Sequence, residues 1–402
     1  MPHHCAIGPL QWRAIVADRA ALPAPRTQTV PTKDAVGLIL AEPLIAARSA
    51  PEFPQSAMDG FAVRSRDGRP ERRTVIADIP AGTAPAVQIP EGEQAPAVRI
   101  MTGAPVPEGF DVVIPVEATD ASQVGPAPAA ITISADASLT PGRHIRGVGE
   151  EIRRGTQLAP AGRRLSPTLL AVALAAGTAE VVVQEPWQVA VIMTGDELVD
   201  TPSSGGDTTG TVLESNGPAL AAALARLGCT TDVQAVGDDP TVLRSAVQDA
   251  AQRTDLIITT GGVGSGAFDV VKAAFSDGTS RFEHLLMRPG GPQGVGRFGD
   301  VPMIHLPGTP VGATVGFHLF IRPLLETRPS GIELPAQQVR TEPDTKPGAH
   351  VKPAVLSYRA GALYAEEVRG RRLLPYASAD AIMVTGLDST GGALVVPLLT
   401  GD

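Results

Sequence analysis

Hydrophobic and polar positions change their rhythm several times along the chain. Within the first 22 residues Leu10, Ile15 and Leu22 recur among charged and alanine positions, a short amphipathic helical pattern that Pro23, Pro25 and Pro31 interrupt. From about residue 45 to 146 the rhythm shortens. Residues 73–79, 97–101, 111–116 and 130–134 are β-prone runs separated by Pro, Gly and Asp, which predicts a small β-rich insert. Helical text returns at 166–176, where Leu169, Leu170, Val172, Ala173 and Leu174 make an apolar face and Gly177 is placed to cap its end.

From Trp187 to about Glu326 strands and helices alternate. Near-continuous apolar strands are expected at 189–193, 231–236, 256–260, 283–287 and 302–306, with helices at 217–227, 240–252, 268–275 and 310–325 between and after them. That alternation predicts a parallel sheet covered on both faces, a doubly wound α/β domain. Beyond residue 329 a polar stretch with Pro335, Pro343, Pro347 and Pro353 leads into two or three short strands ending near Leu399, a small terminal β domain. The expected organisation is α/β plus β-rich and multidomain. Residues 1–45 with 147–178 form a discontinuous helical and linker domain, 46–146 the β-rich insert, 179–327 the α/β domain and 328–402 the terminal β domain.

Composition narrows the function. The 38 prolines and 43 glycines are scattered among apolar segments, which argues for many turns and against disorder. A formal charge of −9 disfavours non-specific nucleic-acid binding, which needs a basic surface to displace counterions. Cys5 and Cys229 are the only cysteines, too few for a disulfide framework or a four-thiolate zinc site, so a reducing compartment is expected. No leader pattern opens the sequence and no run of about 18 apolar residues occurs, so a membrane partner is not expected and the location is read as cytoplasmic.

In an open α/β sheet ligands bind beyond the carboxyl ends of the strands. The residues at those positions here are Thr194-Gly195-Asp196-Glu197, Gly237-Asp238-Asp239-Pro240, Gly261-Gly262-Val263-Gly264-Ser265-Gly266 and Leu306-Pro307-Gly308-Thr309-Pro310. The glycine loop lets backbone amides approach an anion, with Asp269 following it; Thr309 and Pro310 read as the N-cap and first residue of a helix aimed at the same rim. Asp196, Glu197, Asp238 and Asp269 then converge where only a cation offsets their repulsion, and carboxylates without His or Cys favour Mg²⁺. Asp239 before Pro240 is assigned to capping and Asp238 to the site. His284 and Arg288, four residues apart on an extended segment, either face an anionic ligand or are solvated surface groups. These residues point to an Mg²⁺-assisted site for a phosphate-bearing small molecule.

Several stretches carry a resemblance. Ser-Ala-Met-Asp-Gly-Phe-Ala-Val at 56–63, Arg-Ile-Met-Thr-Gly-Ala-Pro-Val-Pro at 99–107, Thr-Gly-Asp-Glu-Leu at 194–198, Ser-Asn at 215–216, Gly-Asp-Asp-Pro at 237–240, Thr-Gly-Gly-Val at 260–263 and Leu-Pro-Gly-Thr-Pro at 306–310 resemble, in family order, the MoeA and gephyrin E-domain family of molybdopterin molybdenumtransferases. The resemblance implies a homodimer whose α/β domain faces the β-rich insert of its partner. It also implies a reaction that takes adenylylated molybdopterin and molybdate, cleaves the phosphoanhydride with Mg²⁺ and releases AMP, downstream of a molybdopterin adenylyltransferase. On that basis Asp59, Thr102, Glu197, Asp238 and Asp269 match family active-site residues, with Glu197, Asp238 and Asp269 on the metal, and Glu151 stands where the family commonly has Asp. Gly261, Gly262, Gly264, Ser265, His284, Arg288, Gly308 and Thr309 are expected on the substrate.

The chain also departs from the family pattern. Two lysines fall at His284 and Arg288, Gly264 occupies a serine position with Ser265 next, Thr309 replaces Asn and Gly312 replaces Ser. The family's terminal-domain Arg and Ser have no clear equivalents around His350 and Pro375. Two other readings therefore stand beside the transferase: a degenerate paralogue that carries molybdopterin or molybdate without turnover, and a nucleotide-adenylylating or hydrolysing relative. The insert motifs at 56–60 and 99–105 argue against the last.

Overall fold

The computed structural model describes residues 7–70, 72–83, 86–199, 210–264, 269–326, 331–370 and 372–399. The chain divides into two compact units, Thr27–Gln184 and Met1–Arg26 with Glu185–Asp402.

In the first unit a five-stranded sheet runs Val112–Pro115, Gly60–Val63, Ala97–Ile100, Arg73–Ile79, Ala130–Ile131, with only the Arg73–Ile79 and Ala97–Ile100 pair parallel. Phe61, Val63, Val112 and Ile114 pack on one face; Ala62, Val98, Ile100 and Val113 pack on the other. The strand Gly60–Val63 is absent from the sequence expectation because burial on both faces removes the alternation that marks a half-exposed strand. Gly60 is required there, since a Cβ would lie 2.0 Å from the Ile114 carbonyl oxygen. The helix Pro167–Ala175 ends at left-handed Gly177 as expected, and at its start the Ser166 hydroxyl accepts from the Leu169 amide at 3.2 Å.

The second unit holds the α/β domain. Its strands are β1 (Gln188–Thr194), β2 (Thr230–Val236), β3 (Leu256–Thr260), β4 (Ser280–His284), β5 (Pro292–Phe298) and β6 (Val301–Leu306), in the spatial order β2-β1-β3-β6-β5-β4. Its helices are α1 (Asn216–Arg226), α2 (Pro240–Ala251), α3 (Val270–Phe275) and α4 (Pro310–Gly316), the last continuing through a π-helical turn at Phe317–Ile321 to Leu325. Five strands run the same way, as the alternating pattern predicts. β5 runs against both neighbours and is an addition to that pattern. It hides behind Pro289, Gly290, Gly291, Gly294 and Gly296, which read as loop. Its glycines instead make room for the next strand, because a Cβ on Gly294 would sit 2.7 Å from the Phe282 ring and one on Gly296 2.1 Å from the Ser280 hydroxyl.

Helix Pro9–Arg19 packs on this domain, with Trp12 and Val16 buried in the same cluster as Val189, Leu220, Phe317 and Phe320. The terminal sheet has six strands, Ile332–Leu334, Ala393–Pro397, Ala381–Thr385, Ala349–Arg359, Ala362–Glu367 and Val339–Arg340, against the two or three expected. Its longest strand was obscured by Pro353, which is accommodated opposite Ile382. A seventh strand, Met287–Arg288, comes from the α/β domain and pairs with Ala349 and His350.

Candidate active site

Because β5 alone is reversed, the carboxyl ends of β1, β2, β3, β6 and β4 share one edge. Thr194 lies opposite Val236, Met193 opposite Thr260, Thr260 opposite Leu306, and His284 opposite Pro292. The segments beginning at Gly195, Gly237, Gly261 and Pro307 therefore emerge side by side, with His284 at the far end.

The glycine loop is built by close backbone approach. Gly261 has φ +98°, and a Cβ there would lie 2.6 Å from the Thr194 carbonyl and hydroxyl oxygens; a Cβ on Gly308 would lie 3.2 Å from the Gly261 Cα. The Leu-Pro-Gly turn thus packs directly on the loop. Two of the loop's amides are already engaged, since Gly261 donates to the Leu306 carbonyl at 3.2 Å and Gly264 donates to Asp269 Oδ1 at 3.1 Å. An anion has fewer donors available than a run of glycines suggests. Ser265 and Gly266 lie outside the described residues.

The carboxylates are tied to backbone in the same manner. Asp196 Oδ1 accepts from the Asp238 amide at 3.0 Å, and Asp238 Oδ2 accepts from the Asp196 amide at 3.4 Å, a reciprocal clasp between the ends of β1 and β2. Asp239 caps α2, its Oδ1 accepting from the Thr241 and Val242 amides at 2.7 and 3.3 Å. These bonds hold the Asp239 carboxyl below its ordinary range, the Thr241 hydroxyl first and then the backbone donors. Glu197 folds back over Gly195, where a Cβ would meet its Oε2 at 2.6 Å. Among the described residues no group of three or more His, Cys, Asp or Glu is gathered closely enough to hold a metal ion. Glu197, Asp238 and Asp269 are therefore not a closed ligand set, although Asp238 and Asp269 each meet a backbone amide through a single carboxylate oxygen. Mg²⁺ commonly takes one or two carboxylates and completes its shell with water and substrate phosphate oxygens, so this donor chemistry fits it.

Asn216 is a connecting residue whose role the motif Ser215-Asn216 did not disclose. It is buried at the start of α1, donating from Nδ2 to the Gly308 carbonyl at 2.8 Å and reaching the Thr260 hydroxyl at 3.5 Å, which links the glycine loop to the Leu-Pro-Gly turn. Thr309 heads α4 in extended conformation without a side-chain capping bond, its hydroxyl over Gly312, where a Cβ would meet it at 2.7 Å. His284 and Arg288 are both exposed, but they do not share one extended segment. His284 ends β4, the Met287 amide turns back to the Leu285 carbonyl at 2.8 Å, and Arg288 belongs to the terminal sheet.

Asp59 and Thr102 lie in the other compact unit. They stand at the ends of the adjacent strands Gly60–Val63 and Ala97–Ile100, and Asp59 Oδ1 accepts from both the amide and the hydroxyl of Thr102, at 2.7 and 2.8 Å. The amide first and the hydroxyl second hold the Asp59 carboxyl below its usual range. In the same unit Glu151 lines a cavity of about 560 Å³ with Glu52, Gln55, Arg146 and Glu150.

The comparisons agree with this architecture. Residues 11–177 match the MoeA N-terminal region (domain I and II), and residues 190–327 match the probable molybdopterin binding domain. Molybdopterin molybdenumtransferase 2 of Mycobacterium tuberculosis is 40% identical over 316 residues, 75% of each chain. The Bacillus subtilis molybdopterin molybdenumtransferase is 32% identical, covering 85% of this chain and 81% of its own. A molybdopterin biosynthesis MoeA protein from Pyrococcus horikoshii has the same fold, with TM-score 0.76, 23% identity and coverage of 98% and 99% of the two chains. This is a multidomain protein of molybdenum cofactor biosynthesis. More narrowly, the chain belongs to the molybdopterin molybdenumtransferase family, a family of transferases.

Proposed function

We propose that this chain inserts molybdate into adenylylated molybdopterin in an Mg²⁺-assisted reaction that releases AMP. The supporting observation is the shared edge of the α/β sheet, where the glycine loop, the Leu-Pro-Gly turn and the Asp196–Asp238 clasp meet. The loop and the turn receive the phosphates, and Arg288 supplies positive charge and His284 an imidazole donor at the rim. Asp238 and Asp269, with Glu197 in a segment of the same edge, would offer carboxylate oxygens to Mg²⁺, with water and substrate phosphate oxygens completing its shell, and the ion would offset negative charge on the phosphates. Asp59, kept anionic by Thr102, orients the substrate from the β-rich unit. The enzyme acts as a cytoplasmic homodimer in which Asp59 and Thr102 serve the partner's α/β edge, and a molybdopterin adenylyltransferase supplies its substrate.

The test is cofactor formation by the purified protein from adenylylated molybdopterin and molybdate, with and without Mg²⁺, following AMP release and reconstitution of an apo-molybdoenzyme. Metal-dependent AMP release with active reconstituted enzyme is the expected result. Tight binding of molybdopterin without turnover would instead establish a carrier, with the loss residing in the Gly264 and Thr309 substitutions. Asp269→Asn is expected to abolish Mg²⁺-dependent turnover, and unchanged turnover would remove Asp269 from the metal; a monomeric active preparation would remove the trans role of Asp59.

A further inference from the structure

Asp59 reaches Thr102 from a turn, and the residue that sets this turn is Ser56. Ser56 is fully buried, whereas Met58, Asp59 and Thr102 are exposed. Its backbone belongs to the Thr102 side of the site: the Ser56 amide donates to the Ala104 carbonyl at 2.9 Å, and its carbonyl accepts from the Gly103 amide at 2.8 Å. Its hydroxyl serves the Asp59 side, donating to the Met58 carbonyl at 2.5 Å and accepting from the Met58 amide at 3.3 Å. One residue therefore joins the two segments that contribute Asp59 and Thr102.

A peptide unit is planar, so a bond to its oxygen or its N–H restrains the whole plane. The Met58 carbonyl and the Asp59 amide form one such plane; the Ala57 carbonyl and the Met58 amide form the plane before it. Both are held by the Ser56 hydroxyl. The plane after Asp59 is held separately, because the Asp59 carbonyl accepts from the Val116 amide at 3.1 Å. With the planes on either side of its Cα restrained, the Asp59 side chain is left with a few staggered directions. One of them places Oδ1 on the amide and hydroxyl of Thr102, at 2.7 and 2.8 Å. A serine hydroxyl has a single proton to donate, and here it is committed to Met58 in a buried position, so Ser56 acts through Asp59 and not on a substrate. We infer that Ser56 is a positioning residue for Asp59, fixing the two peptide planes that carry its carboxylate to Thr102. This rests on the role given to Asp59 above.

The experiment compares wild type, Ser56→Ala, Ser56→Cys, Asp59→Asn and the double variant Ser56→Ala/Asp59→Asn as full-length protein. Amide exchange at Thr102, read by NMR, reports whether Asp59 still sits on its partner, and turnover reports whether that placement is used. Ser56→Ala keeps both backbone bonds to Gly103 and Ala104, and exposed Met58 can turn to water, so folding, checked by the melting curve, is expected to be retained. Ser56→Cys fills the same space with a weaker donor and repeats the comparison with the core filled. In Ser56→Ala, Thr102 exchange is expected to quicken and kcat to fall about tenfold, the order of one lost hydrogen bond, with KM for the adenylylated substrate little changed and Ser56→Cys between. The loss is expected to vanish in the Asp59→Asn background, because two residues acting through one group are not additive.

Unchanged Thr102 exchange in Ser56→Ala would overturn the proposal. Faster exchange with full turnover, beside an impaired Asp59→Asn, would overturn it too, as would a turnover loss that simply adds to that of Asp59→Asn. Full turnover in Asp59→Asn, with Thr102 exchange still faster in Ser56→Ala, would refute the role given to Asp59 and leave its placement by Ser56 standing. A wild type that forms no cofactor would refute the transferase assignment, and the Thr102 exchange comparison would still decide what places Asp59.

Discussion

The acidic groups of the α/β edge and the Asp59–Thr102 pair are held in opposite ways. Along the edge each aspartate is tied to backbone at a strand end: Asp196 and Asp238 to one another's amides, and Asp269 to Gly264. Asp59 instead takes both donors of a single residue, Thr102, in the turn just beyond the adjoining strand of a sheet buried on both faces. The edge is an arrangement of loops that a ligand can complete. The Asp59 site is set by strand pairing before any ligand arrives.

The sharpest way to break this contrast is Asp59→Asn. The amide oxygen still accepts from Thr102, so melting is expected to be unchanged, whereas turnover falls about 10²- to 10³-fold, as when one preorganised polar group is removed from an active site. A large shift in the melting temperature would show that the carboxylate serves the fold. Next comes Gly60→Ala, whose Cβ would meet the Ile114 carbonyl oxygen at 2.0 Å. Its urea midpoint is expected to fall by the equivalent of about 3 kcal/mol. Little change would mean that this strand pair yields more easily than its burial suggests.

Asp239→Ala removes the α2 cap and is expected to lower the melting temperature slightly without altering AMP affinity. A loss of affinity would move Asp239 into the site beside Asp238. The smallest effect concerns acid. The folded-state value of Asp59 is depressed, so its hydrogen bonds contribute stability above the ordinary carboxylate value of 3.8 and lose it as pH falls through the depressed one. The effect is small because the group is exposed. Urea midpoints of wild type and Thr102→Val, compared from about pH 5 down to about pH 2.5, are expected to converge at the acid end. Parallel curves would remove the Thr102 hydroxyl as a cause and leave the backbone amide alone.

Much of this was legible in the sequence because one-sided burial and strand-to-helix alternation leave periodic marks. The parallel strands, the helices and the residues following them could be placed from that pattern. Other features left none. Gly60–Val63 is buried on both faces, and β5 carries glycines for the sake of its neighbours' side chains. The terminal sheet's long strand runs through Pro353. In the site, the carboxylates and the glycine loop were visible as residue types after strands, and Asp239 as a cap before a proline. Asn216 was not distinguishable in role, because it acts on a main-chain carbonyl far from it in sequence, and such a partner has no signature in residue type.

The short strand Met287–Arg288 gives the rim two owners. His284 closes the α/β sheet, while Arg288 is paired into the terminal sheet beside Ala349 and His350. The spacing of the two side chains is therefore set by two different sheets, like a caliper with its jaws fixed to separate pieces. A substitution in the terminal sheet that shifts Ala349 or His350 is expected to move Arg288 while His284 keeps its place at the end of β4.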